Sequence, residues 1–244
     1  MNGTSPNWQD LAGLLYGDGF FDTMAVWQGA IQLWQFHQVK LKQTAQVLGV
    51  ELPTQVLDAL PGCVPGQEGV LRVFAVAQGM GEPHRWLATF TEQPLQLSVG
   101  PISVSMASRT LDAEDHAHRY KLLSRFTYRQ AQREATGDDA VMLNKEGRVA
   151  SFTSACVVYG TDVGVFCIPA HEGRQNAATL QLLQVSYGVV DKPLDAAFPG
   201  VIWMLAVNSL RLRVVERVEG MRLAPPDGLV LSKYLQHWPW QQMP

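Results

Sequence analysis

The sequence predicts an α+β protein built from two subdomains. Three observations support this prediction: short segments with alternating apolar residues occur in both halves of the chain, segments with helical spacing separate them, and one continuous apolar run occurs late in the chain. We place the boundary near residue 100, so that residues 1–100 form a small subdomain and residues 101–244 a larger, β-rich one.

The first half of the chain is predicted to form a small antiparallel sheet with one or two helices. A hairpin is expected around a Gln28–Gly29 turn, because apolar residues alternate before and after it. Helical spacing predicts a helix over 36–48, and a second, shorter helix is predicted over 54–60. Two strand-like segments, 69–78 and 85–93, follow with a glycine-rich turn between them.

Strands and helices are mixed in the second half. Lys121 follows a strand-like segment and is expected to open an amphipathic helix. Further predicted elements are three short strands within 138–169, a helix led by Thr179, a buried strand at 201–207 and a final helix within 227–238. No internal repeat interrupts this α+β pattern.

The composition favours a globular protein that acts on small molecules. The net charge of -3, the pI near 6.1 and the lack of a Lys/Arg cluster argue against nucleic-acid binding. No apolar run approaches the roughly 18 residues of a membrane span. The first residues lack the basic and apolar regions of a signal peptide, so we expect a cytoplasmic protein. Three cysteines without a CxxC pair argue against disulfides and a zinc site, and no metal is expected.

The usual short catalytic motifs are missing from the sequence. It contains no GxSxG, no P-loop, no HExxH helix and no GxGxxG opening a helix, which removes the main support for hydrolase, NTPase and zinc-enzyme interpretations. Lys121 remains as a candidate. A lysine at this place is either an ordinary surface charge or a Schiff-base residue, and the segment around it does not decide between the two.

An ordered series of motifs runs through nearly the whole chain. The motifs are GDGFFDT, FHQVKL, YKLLSR, GRVASFTSA, GRQNAAT and AVNSLR. In order and spacing they resemble those of class IV aminotransferases, a family of pyridoxal phosphate (PLP) enzymes that includes branched-chain and D-amino-acid aminotransferases and 4-amino-4-deoxychorismate lyase. The resemblance implies the two-subdomain fold of the D-amino-acid aminotransferase-like enzymes, PLP as cofactor and a homodimer.

The resemblance also assigns roles to particular residues. Lys121 matches the lysine that forms the Schiff base with PLP and moves protons at the substrate's α-carbon. Ala178, by its backbone N–H, and Thr179, by its hydroxyl, match a phosphate-binding loop that opens a helix. Ser209 matches a second phosphate-binding loop; for Thr179 and Ser209 an ordinary capping role is the alternative. Arg211 is a candidate for binding a substrate carboxylate.

Several positions depart from the family's pattern. Lys40, assigned to the cofactor's phosphate, stands where an arginine is usual, which keeps the charge but loses the bidentate fork. Ser151, assigned to the pyridine nitrogen, stands where a glutamate is usual. At three further positions the family's usual residue is also missing. Ala25 and Leu180 each stand where an arginine is usual, and Cys156 stands where an asparagine is usual.

The serine at position 151 bears on the type of reaction. A carboxylate there keeps the pyridine nitrogen protonated and makes the ring the strong electron sink that transamination needs, whereas a serine hydroxyl is neutral. An elimination that generates an aromatic ring depends less on that sink. We therefore predict a PLP-dependent lyase of the 4-amino-4-deoxychorismate type, which releases pyruvate and 4-aminobenzoate in folate biosynthesis.

Two alternatives remain open. The first is an aminotransferase of the same fold, acting on branched-chain or D-amino acids. The second is a degenerate member without PLP catalysis that acts as a binding or assembly subunit, as the substituted positions allow. For the expected homodimer, the Trp-rich segments 27–36 and 238–240 are candidates for covering the interface.

Overall fold

The structure of the protein is a computed structural model that describes residues 13, 16–64, 66–78, 83–95 and 100–241. The described residues form strands and helices in an α+β arrangement, which confirms the predicted fold class. Two compact units divide the chain. The first consists of Met1–Gln93 and Tyr120–Arg125, and the second of Pro94–Arg119 and Phe126–Pro244.

Four strands in the described part of the first unit form an antiparallel sheet in the order β2–β1–β3–β4. These strands are β1 (Gly19–Trp27), β2 (Ala30–Ile31), β3 (Glu68–Val76) and β4 (Arg85–Glu92). The hairpin between β1 and β2 confirms the prediction. Gln28 and Gly29 at its turn have φ angles of 51° and 74°, the two positive values that a type I′ turn requires.

The helices that the structure describes between residues 34 and 63 of the first unit cover one face of this sheet. They are α1 (Trp34–Val47), α2 (Thr54–Ala59) and a 3-10 turn (Leu60–Cys63). Leu41 and Ala45, one turn apart on α1, are buried in the same core as Phe20, Met24 and Val26 of β1. Both helices confirm the predicted ones, because their apolar residues recur on one face.

Nine strands in the described part of the second unit form a mixed sheet in the order β10–β9–β8–β11–β12–β5–β6–β7, with β13 paired to β12. These strands are β5 (Ile102–Leu111), β6 (Asp139–Asn144), β7 (Val149–Phe152), β8 (Cys156–Thr161), β9 (Gly164–Cys167), β10 (Val190–Asp191), β11 (Trp203–Asn208), β12 (Arg211–Val218) and β13 (Met221–Arg222). Strand β11 confirms the predicted buried strand: it lies centrally, and only its last residue is partly exposed.

Four helices flank this sheet in the described residues: α3 (His116–Arg119), α4 (Phe126–Glu134), α5 (Ala178–Tyr187) and α6 (Gly228–Leu235). The last two confirm the predicted helices. Helix α6 begins at a side-chain cap, in which Asp227 Oδ1 accepts a hydrogen bond of 2.7 Å from the Leu229 N–H. None of the helices in the described segments has the length and apolar character of a membrane span.

The segment 138–169 contains four strands rather than the predicted three. The chain reverses between β7 and β8 at a Ser/Thr turn that the prediction missed. The buried Asp139 carboxylate holds this turn, because it accepts hydrogen bonds from the Thr153 N–H at 3.1 Å and the Ser154 hydroxyl at 2.5 Å. A turn made by a distant carboxylate leaves no glycine or proline signal in the sequence.

Two further predictions about local structure are wrong. Lys121 does not open a helix: α4 begins at Phe126, and Lys121 lies in a turn next to Leu122, which forms an isolated β-bridge with Phe20 of β1. Trp238 and Trp240 do not form an exposed interface surface, because each is only 1% exposed within its own chain. Apolar character alone does not tell a residue buried in its own unit from one that a partner would cover.

Gly17 and Gly19 of the GDG motif make room for the returning segment that contains Lys121. Gly17 has a φ of 69°, and a Cβ there would lie 3.0 Å from the Ser124 Cβ. Gly19 has a φ of 136°, and a Cβ would lie 2.1 Å from the Ala75 carbonyl oxygen and 3.0 Å from the Leu123 side chain. Both positions therefore require glycine, for conformation and for space.

We expect Gly19→Ala to destabilise the protein by about 3 kcal/mol or more, because the added methyl group collides with backbone atoms of β3. Gly49→Ala is the matched control: Gly49 also has a positive φ, of 66°, but no atom lies within 4 Å of its added Cβ. That change should cost only the roughly 1–2 kcal/mol of the left-handed conformation. Urea unfolding measures both, and equal losses would contradict the steric argument.

Candidate functional site

Backbone hydrogen bonds fix the position of Lys121 in the first unit. The Phe21 N–H donates to the Lys121 carbonyl at 2.9 Å, and the Leu123 N–H donates to the Gly19 carbonyl at 3.0 Å. The segment 120–125 thus pairs antiparallel with the beginning of β1, on the edge opposite β3. These hydrogen bonds fix the backbone of Lys121 against the edge of the sheet, and a sheet edge is a rigid support for a side chain.

The amine of Lys121 lies over the face of the sheet that carries the odd-numbered residues of β1. Lys121 Nζ donates a hydrogen bond of 3.2 Å to Thr23 Oγ1 and stands 4.8 Å from the centre of the Phe21 ring. Arg72 is paired directly opposite Thr23 in the register of β1 and β3, so it belongs to the same face. This face therefore brings an amine, a hydroxyl and a guanidinium together.

The pKa of Lys121 is lowered from 10.5 to about 7. Desolvation of the ammonium is the largest cause, and the positive charges of Lys40, Arg125 and Arg72 act in the same direction. The negative charge of Asp22 acts against them. A large fraction of the amine is consequently neutral at physiological pH, which is the state in which a lysine is nucleophilic.

Asp22 forms a buried ionic cluster on the opposite side of β1. Its carboxylate oxygens lie 2.6 Å from Lys40 Nζ and 2.7 Å from His37 Nδ1, and all three residues are almost completely buried. Burial acts to raise the pKa of Asp22, but the charges of Lys40 and His37 hold the pKa well below its usual range. Lys40, assigned to the cofactor's phosphate, therefore has one of its N–H groups committed to Asp22.

Thr179 occupies the first turn of helix α5 in the second unit. It is completely buried, and its Oγ1 has no hydrogen-bond partner among the described residues. Ala177, which precedes the helix, provides no side-chain cap, so the N–H groups of Ala178 and its neighbours at the helix start lack that partner too. A buried hydroxyl beside uncapped N–H groups is the donor set of an anion site.

Ser151 is buried in β7, and its hydroxyl donates a hydrogen bond of 3.0 Å to the Ala155 carbonyl. A serine has one hydroxyl hydrogen, so in this arrangement Ser151 offers only lone pairs to another group. It carries no charge in any case. The other positions that depart from the family's pattern, Ala25, Cys156 and Leu180, are likewise buried.

Ser209 and Arg211 lie at the hairpin between β11 and β12. Ser209 and Leu210 form its two-residue turn, which Asn208 holds by accepting hydrogen bonds from the N–H groups of Leu210 at 2.9 Å and Arg211 at 3.0 Å. The pKa of Arg211 is lowered by burial and by the charge of Arg213. Arg211 Nε is buried without a hydrogen-bond partner in the described part of the chain.

Four residues of the first unit were not anticipated from the sequence: Asp22, Thr23, His37 and Arg72. Thr23 and Arg72 are 49 positions apart in the sequence. The register in which β1 and β3 pair brings them to one face of the sheet, and this register is not visible in the local sequence pattern. The available signal was the alternation within β1, which places Phe21 and Thr23 on the face opposite Asp22.

Comparison with protein families gives one match. Residues 19–187 match the family model of the class IV aminotransferases, which is well over half of the chain. The chain belongs to this family. The match includes both β1, against which Lys121 is held, and helix α5 with Thr179. A comparison of this class IV chain with curated protein sequences gave no match.

Solved structures similar to this class IV chain cover almost its whole length. One is 4-amino-4-deoxychorismate lyase from Pseudomonas aeruginosa, with a TM-score of 0.84, 18% identity and 96% of each chain covered. A branched-chain aminotransferase from Thermoproteus uzoniensis has a TM-score of 0.81 and 15% identity, covering 93% of this chain and 86% of its own. A hypothetical aminotransferase from Mycobacterium tuberculosis in its PLP-bound form has a TM-score of 0.78 and 20% identity, covering 97% and 93%. At these low sequence identities, the structural similarity establishes the fold of the chain and nothing beyond it.

We expect the acylation rate of Lys121 to be half-maximal near pH 7 and to level off about one to two pH units higher, because the amine is half neutral at its pKa of about 7. Lys145 is the internal control: a hydrogen bond to Asp112 raises its pKa above 10.5, so its rate should still be rising at pH 10. Peptide mapping by mass spectrometry after brief acetylation measures both rates in one sample.

Removing a neighbouring charge tests the cause of this shift. Arg72→Gln should raise the pKa of Lys121, since Arg72 helps to lower it, while Arg85→Gln on the exposed strand β4 should leave it unchanged. Identical pH profiles for Lys121 and Lys145 in the unmodified protein would contradict the proposed environment of the amine.

The buried pair of Asp22 and Lys40 should be strongly coupled. We expect Asp22→Asn and Lys40→Met each to destabilise the protein by about 3–5 kcal/mol, because each leaves a buried group without its partner. The double variant should lose clearly less than the sum of the two. Urea unfolding measures the cycle. The exposed pair of Asp112 and Lys145, also 2.6 Å apart, serves as control and should show little coupling.

Proposed function

We propose that this class IV protein is a PLP-dependent lyase that eliminates pyruvate from 4-amino-4-deoxychorismate and leaves 4-aminobenzoate. The observation that carries the proposal is the amine of Lys121, which is held by a sheet edge, bonded to Thr23 and has a pKa near neutrality. Membership of the class IV family supports PLP as the cofactor, as does the PLP-bound neighbour from Mycobacterium tuberculosis.

The polar groups of the chain fit such a cofactor. In the second unit, the unpartnered Thr179 hydroxyl and the uncapped start of α5, including the Ala178 N–H, suit the phosphate. The Ser209 turn is the proposed second phosphate ligand. In the first unit, Lys40 retains two N–H groups beyond its bond to Asp22, which leaves it able to contribute a positive charge.

PLP supplies a conjugated ring that withdraws electrons from bonds next to the substrate nitrogen. Lys121 would provide the amine that holds the cofactor, and it would serve as the base and acid at the substrate's α-carbon. A pKa of about 7 suits both duties, because comparable fractions of the two protonation states are present. Thr23 orients the amine by accepting its hydrogen bond.

Each unit, taken by itself, offers a cationic side chain that suits a carboxylate. Arg72 stands opposite Thr23 on the face that carries Lys121, and we propose that it binds one carboxylate. Arg211 in the second unit has a half-buried guanidinium whose Nε is unpartnered in the described residues, and we propose it for the second carboxylate.

The neutral Ser151 favours elimination over transamination. Ser151 carries no negative charge that would hold a pyridine nitrogen protonated as a glutamate does. A weaker electron sink penalises transamination more than a reaction whose product is aromatic. The second candidate function is an aminotransferase, favoured by the name of the matched family and by the branched-chain aminotransferase among the similar structures.

We expect purified protein with PLP to develop a visible absorption band that Lys121→Ala abolishes, because the band requires the covalent bond to this amine. Lys145→Ala, which removes an exposed lysine, should keep the band. With the band present, 4-aminobenzoate should form from 4-amino-4-deoxychorismate and be measurable by its fluorescence.

Each outcome separates the candidates. Conversion of the cofactor to its amine form by an amino acid, without formation of 4-aminobenzoate, would replace the lyase by the aminotransferase. A colourless protein indistinguishable from Lys121→Ala would remove both and leave a binding or assembly role.

We also propose, from the family resemblance, a cytoplasmic homodimer. Sedimentation that shows a monomer at micromolar concentration would overturn the proposed dimer.

A further inference from the structure

The residues after helix α6 form a clasp on the hairpin between β11 and β12. We define the clasp as Trp238, Trp240 and Gln241. Both indole rings are 1% exposed and Gln241 is 7% exposed, so the clasp is part of the interior of the second unit. The function proposed above assigns no role to the clasp, although its residues are among the most completely buried of that unit.

Each clasp residue bonds to the backbone of the hairpin through its side chain. Trp238 Nε1 donates to the Asn208 carbonyl at 3.0 Å, and Trp240 Nε1 donates to the Leu210 carbonyl at 2.8 Å. Gln241 makes two bonds to Leu212, donating to its carbonyl at 2.9 Å and accepting from its N–H at 2.6 Å. The bonded residues are alternate positions through the turn, so the clasp holds it from one side.

The side chain of Gln241 makes the hydrogen bonds to β12 that a neighbouring strand would make. In the described residues β5 pairs with β12 only from Val215 onward, so the edge of β12 at Leu212 has no neighbouring strand there. The carboxamide of Gln241 has one carbonyl and one N–H₂ group, and it bonds to Leu212 as a backbone amide in a ladder would. The two backbone polar groups of Leu212 are thereby satisfied although no strand of the described residues lies beside them on this edge.

The held turn leaves one residue available for a ligand. Its carbonyls at 208 and 210 are bonded to the clasp, and its N–H groups at 210 and 211 are bonded to the side chain of Asn208. Ser209, between them, makes no hydrogen bond within the described part of the chain and is half-buried. The turn therefore presents the N–H and hydroxyl of a single serine in a fixed geometry.

We propose that Trp238, Trp240 and Gln241 are positioning residues that hold the Ser209 turn in the conformation that binds the cofactor's phosphate. The inference rests on the proposed function, in which Ser209 is a phosphate ligand. A short turn without these bonds would have to lose its conformational freedom when the ligand binds, which weakens binding. The clasp removes that freedom during folding, before any ligand is present.

The test compares PLP with pyridoxal, which lacks the phosphate. The variant Trp240→Phe/Gln241→Met keeps most of the buried volume but removes three of the four clasp bonds. Its dissociation constant for PLP, from absorbance titration, should rise about tenfold, while that for pyridoxal should change less than twofold. Trp203→Phe is the matched control: it alters a buried tryptophan at the far end of β11 and should change neither constant.

Hydrogen–deuterium exchange provides a readout that needs no cofactor. The amides of residues 208–212 should exchange faster in the double variant than in the wild type, and at wild-type rates in Trp203→Phe. Equal weakening of PLP and pyridoxal binding would mean a merely structural role and would overturn the proposal, as would unchanged PLP affinity. If the wild type binds no PLP, the proposed function fails. Hydrogen–deuterium exchange then tests the role of the clasp by itself. Faster exchange of residues 208–212 in the double variant would support the proposal that the clasp holds the turn, and unchanged exchange would overturn it.

Discussion

The antiparallel pairing of segment 120–125 with β1 is the interaction on which the candidate site depends. Two backbone hydrogen bonds, to Phe21 and Gly19, hold the segment, and the GDG glycines leave the space for it. Because the backbone on both sides of Lys121 is fixed, the amine reaches Thr23 without a helix to carry it. The lysine thus lies against the edge of the first unit's sheet, although it is far in sequence from the strands of that sheet.

Strand β1 separates two kinds of electrostatic environment. On the helix-covered side, Asp22 neutralises Lys40 inside the core; on the other side, Lys121 shares a face with Arg72. The first arrangement stabilises charges by pairing them. In the second, desolvation of the amine, helped by nearby positive charges, favours its neutral form. Alternation along β1 places Asp22 and Thr23 on opposite faces, yet the charges of Lys40 and Asp22 still act on the pKa of Lys121 across the strand.

The sequence predicted those features that depend on local pattern. The β1–β2 hairpin, helix α1 and strand β11 follow from alternation, helical spacing and apolar character, and the ordered motifs pointed to the class IV family. The helix expected at Lys121 was wrong because pairing with β1 outweighs local helical spacing. The contact of Asp22 with Lys40 depends on how α1 packs against the sheet, and the burial of Trp238 depends on a hairpin 30 residues earlier.

The return of six residues to the first unit has a consequence for how the protein is made. Lys121 and its acceptor Thr23 are separated by 98 positions, so this contact closes a very long loop. On the ribosome, the sheet of the first unit is synthesised while the first residues of β1 still lack their partners in segment 120–125, and it is completed only after residue 125 has emerged. The amine of Lys121 therefore gains its neighbours only after the rest of the first unit has been made, so a chain that ends before residue 121 lacks this contact.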